Sequence, residues 1–140
     1  MVVLIGINDA LRLYEKMSSY HLPPDKFQET CRTLITETRQ QLPATRIFLA
    51  EPFYLTTRNN PAGSYRNGLA ELVDRYIEAT RCVADEFALP LCRTNALFSE
   101  ILGHNPVSFL SNDCIHLTRA GHLALAEGIH QTLFGPAAHV

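Results

Sequence analysis

The sequence predicts an α/β fold: a three-layer, flavodoxin-like parallel sheet with helices on both faces and its first strands lying outside the chain. Three observations carry this. Short apolar runs alternate with longer stretches whose apolar residues recur every three or four positions. The resulting order of strand, helix, strand, helix, strand, helix implies parallel pairing through right-handed crossovers. The most apolar run comes first, and three strands make a thin sheet, so the chain reads as the later part of a larger doubly wound domain.

Met1-Val2-Val3-Leu4-Ile5 is the first strand, and its unbroken apolar character suits burial on both faces. At a sheet edge, a strand this apolar would invite another chain to pair with it. Gly6-Ile7-Asn8-Asp9 reads as a turn, followed by a polar connection over residues 10–24 with room for a short helix. Pro23-Pro24-Asp25 prepares a helix start. Phe27, Cys31, Leu34, Ile35 and Leu42 then share one helical face, until Pro43 stops the helix.

Residues 46–53 form the second strand, ended by Pro52, and residues 54–63 a loop. A helix is expected from about Ser64 to Phe87, a short strand over Leu89–Thr94 and a helical turn or two over Asn95–Leu102. Residues 104–117 read as a polar loop. Thr118 caps a last helix that Gly135-Pro136 ends.

Composition removes several function classes. Twelve basic against fourteen acidic residues give a net charge of -2, and the basic residues are scattered, so no nucleic-acid groove or polybasic membrane patch is expected. No apolar run reaches the roughly 18 residues of a membrane span. The opening segment lacks a cationic start and a small-residue cleavage site, which argues against a signal peptide. The four cysteines, 31, 82, 92 and 114, show no C-x-x-C spacing, which removes zinc-ribbon and thioredoxin readings. Cys31 and Cys92 read as small buried hydrophobes. Reduced thiols and the absence of a signal peptide favour a cytoplasmic location.

Parallel sheets collect chemistry at the C-terminal ends of their strands. Two polar clusters fall there, Gly6-Ile7-Asn8-Asp9 and Asn112-Asp113-Cys114-Ile115-His116. Asp113 is three residues before His116, a spacing at which its carboxylate can accept the imidazole Nδ1–H and orient the ring as a general base. Asn8 can offer a side-chain N–H to a developing oxyanion. Two structural readings stand beside these: a helix-capping role for Asp113 and His116, and a simple turn at Asn8-Asp9. A metal set of Asp113, His116 and His122 lacks a fourth ligand and a known spacing, so neither metal nor cofactor is expected. His21, His104, His130 and His139 read as surface residues.

Gly6-Ile7-Asn8-Asp9 resembles the G-x-N-D block of the SGNH hydrolases, or GDSL esterases. Asp113-Cys-Ile-His116-Leu-Thr-Arg-Ala-Gly121-His122 resembles their closing D-x-x-H-x-x-x-x-G-H block, and Glu51-Pro52-Phe53 is similar to the microbial acyl-hydrolase branch. The two blocks stand about 105 residues apart. The resemblance implies Asn8 as an oxyanion donor, His116 as general base, Asp113 as its orienting acid, and Gly6 and Asp9 as shapers of the loop that holds Asn8. The implied substrates are small acyl or acetyl esters, including those on carbohydrates, cleaved through an acyl-serine.

The departures are specific. Cys114 stands where Gly is common and Leu117 where Pro is common. No G-D-S triplet occurs, so the block with the nucleophilic serine, and the block with a second oxyanion donor, are not in this sequence. Of Ser18, Ser19, Ser64, Ser99, Ser108 and Ser111, the first two are the least poor substitutes, and Ser111 lies awkwardly close to His116. The resemblance therefore implies that residues 1–134 are the C-terminal portion of such a domain, with 135–140 a tail, and that the chain alone is inactive. The alternative is a genuine short, catalytically dead protein whose first strand pairs with another chain. A nucleotide-binding half-domain would need a Gly-rich phosphate loop after a strand, and none is present.

Overall fold

Three short parallel strands lie in the order β1 (Val2–Val3), β2 (Phe48–Ala50), β3 (Leu91–Cys92). Val2 pairs with Phe48, Leu49 with Leu91 and Ala50 with Cys92. The structure is a computed structural model and describes residues 1–16, 22–56 and 68–135. Six helices occur among these residues: α1 (Ile7–Tyr14), α2 (Pro24–Gln41), α3 (Leu69–Glu86), α4 (Thr94–Leu102), α5 (Val107–Leu110) and α6 (Arg119–Phe134).

Strand alternation divides the core in two. Val3, Leu49 and Leu91 face α1, α2 and α3, where Phe27 meets Tyr76 edge to face with ring centroids 5.2 Å apart. Leu4 points the other way, into a cluster of Phe53, Phe98, Val107 and Leu110 under α4, α5 and α6. Helices therefore cover both faces of the sheet, as the element order predicts. On that second side Gly128 lets α6 close on β3 and α4, since a Cβ there would lie 2.6 Å from Leu97 and 3.3 Å from the Cys92 sulfur. Cys31 and Cys92 are buried as expected, and so is Cys114.

Three local expectations are corrected. Gly6 to Asp9 is not a free turn. Gly6 has φ +113° and throws the chain straight from β1 into α1, where the Ala10 N–H bonds the Gly6 carbonyl at 3.0 Å. Asn8 and Asp9 therefore sit in the first turn of a helix. Among the described residues β1 lies at the edge of the sheet, with Val2 and Ile5 46% and 44% exposed. The stretch 104–117 is not all loop, since Pro106 sets up the one-turn helix α5. The strands are shorter than their apolar runs, and past Ala50 the β2 chain passes into Glu51-Pro52. The expected helix start at Ser64 lies outside the described residues, as does most of the 54–63 loop. No helix among the described residues is long and apolar enough to cross a membrane.

One buried charge ties these layers together. Glu51, fully buried at the end of β2, accepts Arg81 Nε from α3 at 2.8 Å and the Asn95 N–H of α4 at 3.2 Å. Its backbone N–H donates to the Cys92 carbonyl at 3.1 Å, and its own carbonyl accepts Thr94 Oγ1 at 2.7 Å. Removing one partner of such a pair leaves an uncompensated buried charge. Arg81→Met should therefore lower unfolding free energy by about 3 kcal/mol in chemical denaturation, and adding Glu51→Gln should restore most of it. An unchanged midpoint in Arg81→Met would contradict this.

Candidate active site

The loop between α5 and α6 is closed before it carries any chemistry. Ser111 and Leu117 pair as an isolated antiparallel bridge, and Thr118 N–H bonds the Leu110 carbonyl at 2.8 Å. Thr118 Oγ1 donates to the Phe109 carbonyl at 2.7 Å and accepts Gly121 N–H at 3.2 Å, capping α6. Gly121 is required here, because a Cβ would stand 2.4 Å from the Leu110 carbonyl oxygen. The helix start is thus pressed against the loop base.

Within that closed loop Asp113 turns back on its own backbone. Its Oδ1 accepts the N–H groups of Ile115 at 3.0 Å and His116 at 2.7 Å, and the Ser111 hydroxyl at 3.1 Å. Its Oδ2 lies 2.5 Å from His116 Nδ1. Cys114, between them, has φ +72°, a left-handed conformation that costs a residue with a Cβ about 1–2 kcal/mol. That is a physical reason for glycine to be common at this position. The Cys114 side chain is instead buried beside Leu110 and Phe98, and its carbonyl accepts the Leu55 N–H at 2.9 Å.

The His116 imidazole chiefly holds the Asp113 carboxyl well below the usual carboxylate range. Partial desolvation opposes this, while the backbone N–H groups and Ser111 add to it. An ionised carboxylate can only accept, so Nδ1 carries the hydrogen toward Asp113, and Nε2 is the ring nitrogen left to face a reactant. The His116 side chain is 85% exposed, so that nitrogen is open to a reactant.

The other sequence candidates lie at the end of β1. Gly6 is buried against Phe27 and Pro52, and a Cβ there would stand 3.1 Å from the Phe27 ring. Asn8 is exposed on the first turn of α1, and no hydrogen bond joins it to Asp113 or His116. Asp9 Oδ1 is 3.4 Å from the Leu22 N–H, and Tyr76 donates to the Leu22 carbonyl at 2.6 Å. Asp9 thus contacts the backbone of Leu22, just before α2. Both clusters lie at the C-terminal edge of the sheet, linked through Pro52 against Gly6 and Leu55 against Cys114.

His122 does not join them. Its Nδ1 is 2.9 Å from the Thr118 carbonyl within α6, and no group of three potential ligands among the described residues is placed to hold a metal. Ser18, Ser19 and Ser64 lie outside the described residues, and Ser99 and Ser108 are exposed on α4 and α5. Ser111 is 1% exposed and bonded to Asp113. Two residues gain parts that the sequence alone did not signal. Glu51 had only a motif likeness to mark it, and Ser111 only its position two before Asp113.

Residues 1–124 match the model of the GDSL-like lipase/acylhydrolase family. The chain belongs to that family. It is 30% identical over 127 residues to an acetylxylan esterase of Geobacillus stearothermophilus, across 89% of this chain and 54% of that protein. It therefore spans about half the length of that esterase. A solved structure of an acetyl xylan esterase from the same organism superposes with a TM-score of 0.81 at 26% identity, over 99% of this chain and 61% of the other. LAE5, an alpha/beta hydrolase enzyme from the metagenome of Lake Arreo, superposes with a TM-score of 0.82 at 23% identity, over 98% and 60%, a likeness of fold.

Because its folded pKa lies below the ordinary 3.8, Asp113 stabilises the fold fully above the unfolded carboxylate range and loses this as pH falls through the folded value. The stability gap between the wild type and Asp113→Asn should therefore shrink between about pH 5 and about pH 2 in urea titrations. A gap independent of pH would contradict the bonding.

Proposed function

We propose that the chain supplies the general base, its orienting acid and one oxyanion donor of an ester hydrolase that works through an acyl-serine. The bond of 2.5 Å between Asp113 and His116 Nδ1, at the C-terminal edge of a parallel sheet, carries this reading. Family membership and the acetylxylan esterase relative support ester hydrolysis, with acetyl groups on carbohydrates as the substrate class.

In this reading His116 Nε2 takes the proton of a serine hydroxyl as its oxygen attacks the ester carbonyl. Asn8 donates to the oxyanion that forms. His116 then passes the proton to the departing sugar oxygen, leaving an acyl-serine, and a water molecule repeats the two steps to release acetate. Asp113 stabilises the imidazolium throughout and stays ionised, which its lowered pKa favours. The sequence contains no Gly-Asp-Ser, so the serine comes from a segment or chain outside it, and these residues alone do not turn over.

The test has two parts. The chain by itself should take no fluorophosphonate adduct by intact mass, and an adduct would place the nucleophile within it. In the active assembly, one longer chain or two, acetate release from acetylated xylo-oligosaccharide should fall about a millionfold in kcat in His116→Ala. It should fall about 10²- to 10³-fold in Asn8→Ala. Full activity in His116→Ala overturns the assignment.

A second reading rests on β1. Its outer edge is unpaired among the described residues, with Met1 45% and Val2 46% exposed. Such an edge suits pairing with another chain or with an N-terminal segment of the same domain. Under this reading the purified chain sediments as an oligomer, and Val2→Lys shifts it toward monomer. A wild-type chain that sediments as a monomer overturns self-pairing.

A further inference from the structure

We infer that Ser111 is a positioning residue that sets the side-chain angle of Asp113 and so aims its carboxylate at His116. A hydroxyl has one hydrogen and two lone pairs. Ser111 Oγ donates to Asp113 Oδ1 at 3.1 Å and accepts the Asp113 N–H at 3.3 Å. Both partners belong to one residue: its backbone nitrogen begins the N–Cα–Cβ–Cγ torsion, and Oδ1 is bonded to the Cγ that ends it. The hydroxyl bridges that torsion and holds it in one rotamer. With Oδ1 held, Oδ2 is left for Nδ1.

The other donors to Oδ1, the N–H groups of Ile115 and His116, belong to the same exposed turn as the carboxylate. Ser111 is different. It is 1% exposed, its N–H bonds the Val107 carbonyl at 2.8 Å, and its backbone pairs with Leu117. The acid and base side chains are 53% and 85% exposed, a setting in which side chains ordinarily sample several rotamers. Ser111 is the buried side chain that anchors this exposed pair to the rigid base of its loop. Its hydroxyl is already committed, which also removes it as the attacking group.

The structural claim stands on its own, and only its consequence for turnover rests on the acid–base reading above. The test uses nuclear magnetic resonance on the wild-type chain and on Ser111→Ala, Ser111→Cys and Ser111→Thr. The Asp113 carboxyl carbon is titrated, and long-range nitrogen spectra of His116 report which ring nitrogen holds the hydrogen. A donor lost to an ionised carboxylate raises its pKa, so Ser111→Ala should shift the Asp113 titration up by about one pH unit. The share of the Nδ1–H form should fall with it. Ser111→Cys fills the same space with a weak donor and should do the same if the alanine variant does not fold. Ser111→Thr keeps the hydroxyl and should restore both signals.

Folded Ser111→Ala or Ser111→Cys with wild-type titration and tautomer overturns the inference. In the active assembly the same variants should lower kcat about tenfold at unchanged KM. An assembly without esterase activity would remove the catalytic reading and leave the resonance result to judge Ser111 alone.

Discussion

The buried carboxylate of Glu51 is the constraint on which the other elements depend. It stands where β2 ends, and it is reached by an arginine from α3, a backbone N–H from α4 and, through its own peptide group, the end of β3. A charge in that position is tolerated only when its lone pairs are met. The requirement fixes how far α3 and α4 sit from the sheet. It also fixes the path of Pro52 and Phe53 beyond it. Pro52 then rests against Gly6, and Phe53 packs on Phe98 with ring centroids 4.9 Å apart. The two polar clusters take their places from these contacts.

The loop that presents Asp113 and His116 is built by close approach rather than by a large core. Gly121 brings the start of α6 against the Leu110 carbonyl, Thr118 caps the helix, and Ser111 pairs with Leu117. The ends of the loop are thereby held while its tip stays in solvent. Cys114 accepts a left-handed backbone so that Asp113 can bond the N–H groups of Ile115 and His116. The strain of about 1–2 kcal/mol is offset by burial of the thiol and by the bond from Leu55. An acid and base on the surface gain little from each other by charge alone. Here the backbone bonds and the serine hydroxyl do the orienting.

A chain that spans about half of its esterase relative can still hold a well-formed Asp113–His116 pair, because that pair is local. Two residues separate its members, and the loop closure draws on α5, α6 and the segment that follows β2. The proposed oxyanion donor is placed differently. Asn8 depends on how β1 delivers the chain into α1, and β1 is a two-residue strand at the sheet edge.

The sequence by itself determined the order of elements, the parallel sheet covered on both faces, and the spacing of Asp113 and His116. Those follow from hydrophobic period and short-range geometry, which are properties of neighbouring residues. It marked the G-x-N-D stretch but read it as a turn, because one glycine with φ +113° can begin a helix as readily as a loop. It could not assign Glu51 or Ser111 their parts. A carboxylate becomes a buried hub only when Arg81, thirty residues away, is folded onto it. A serine becomes an anchor only when the loop closes around it. Contacts between distant segments decide both, and they exist only in the tertiary structure.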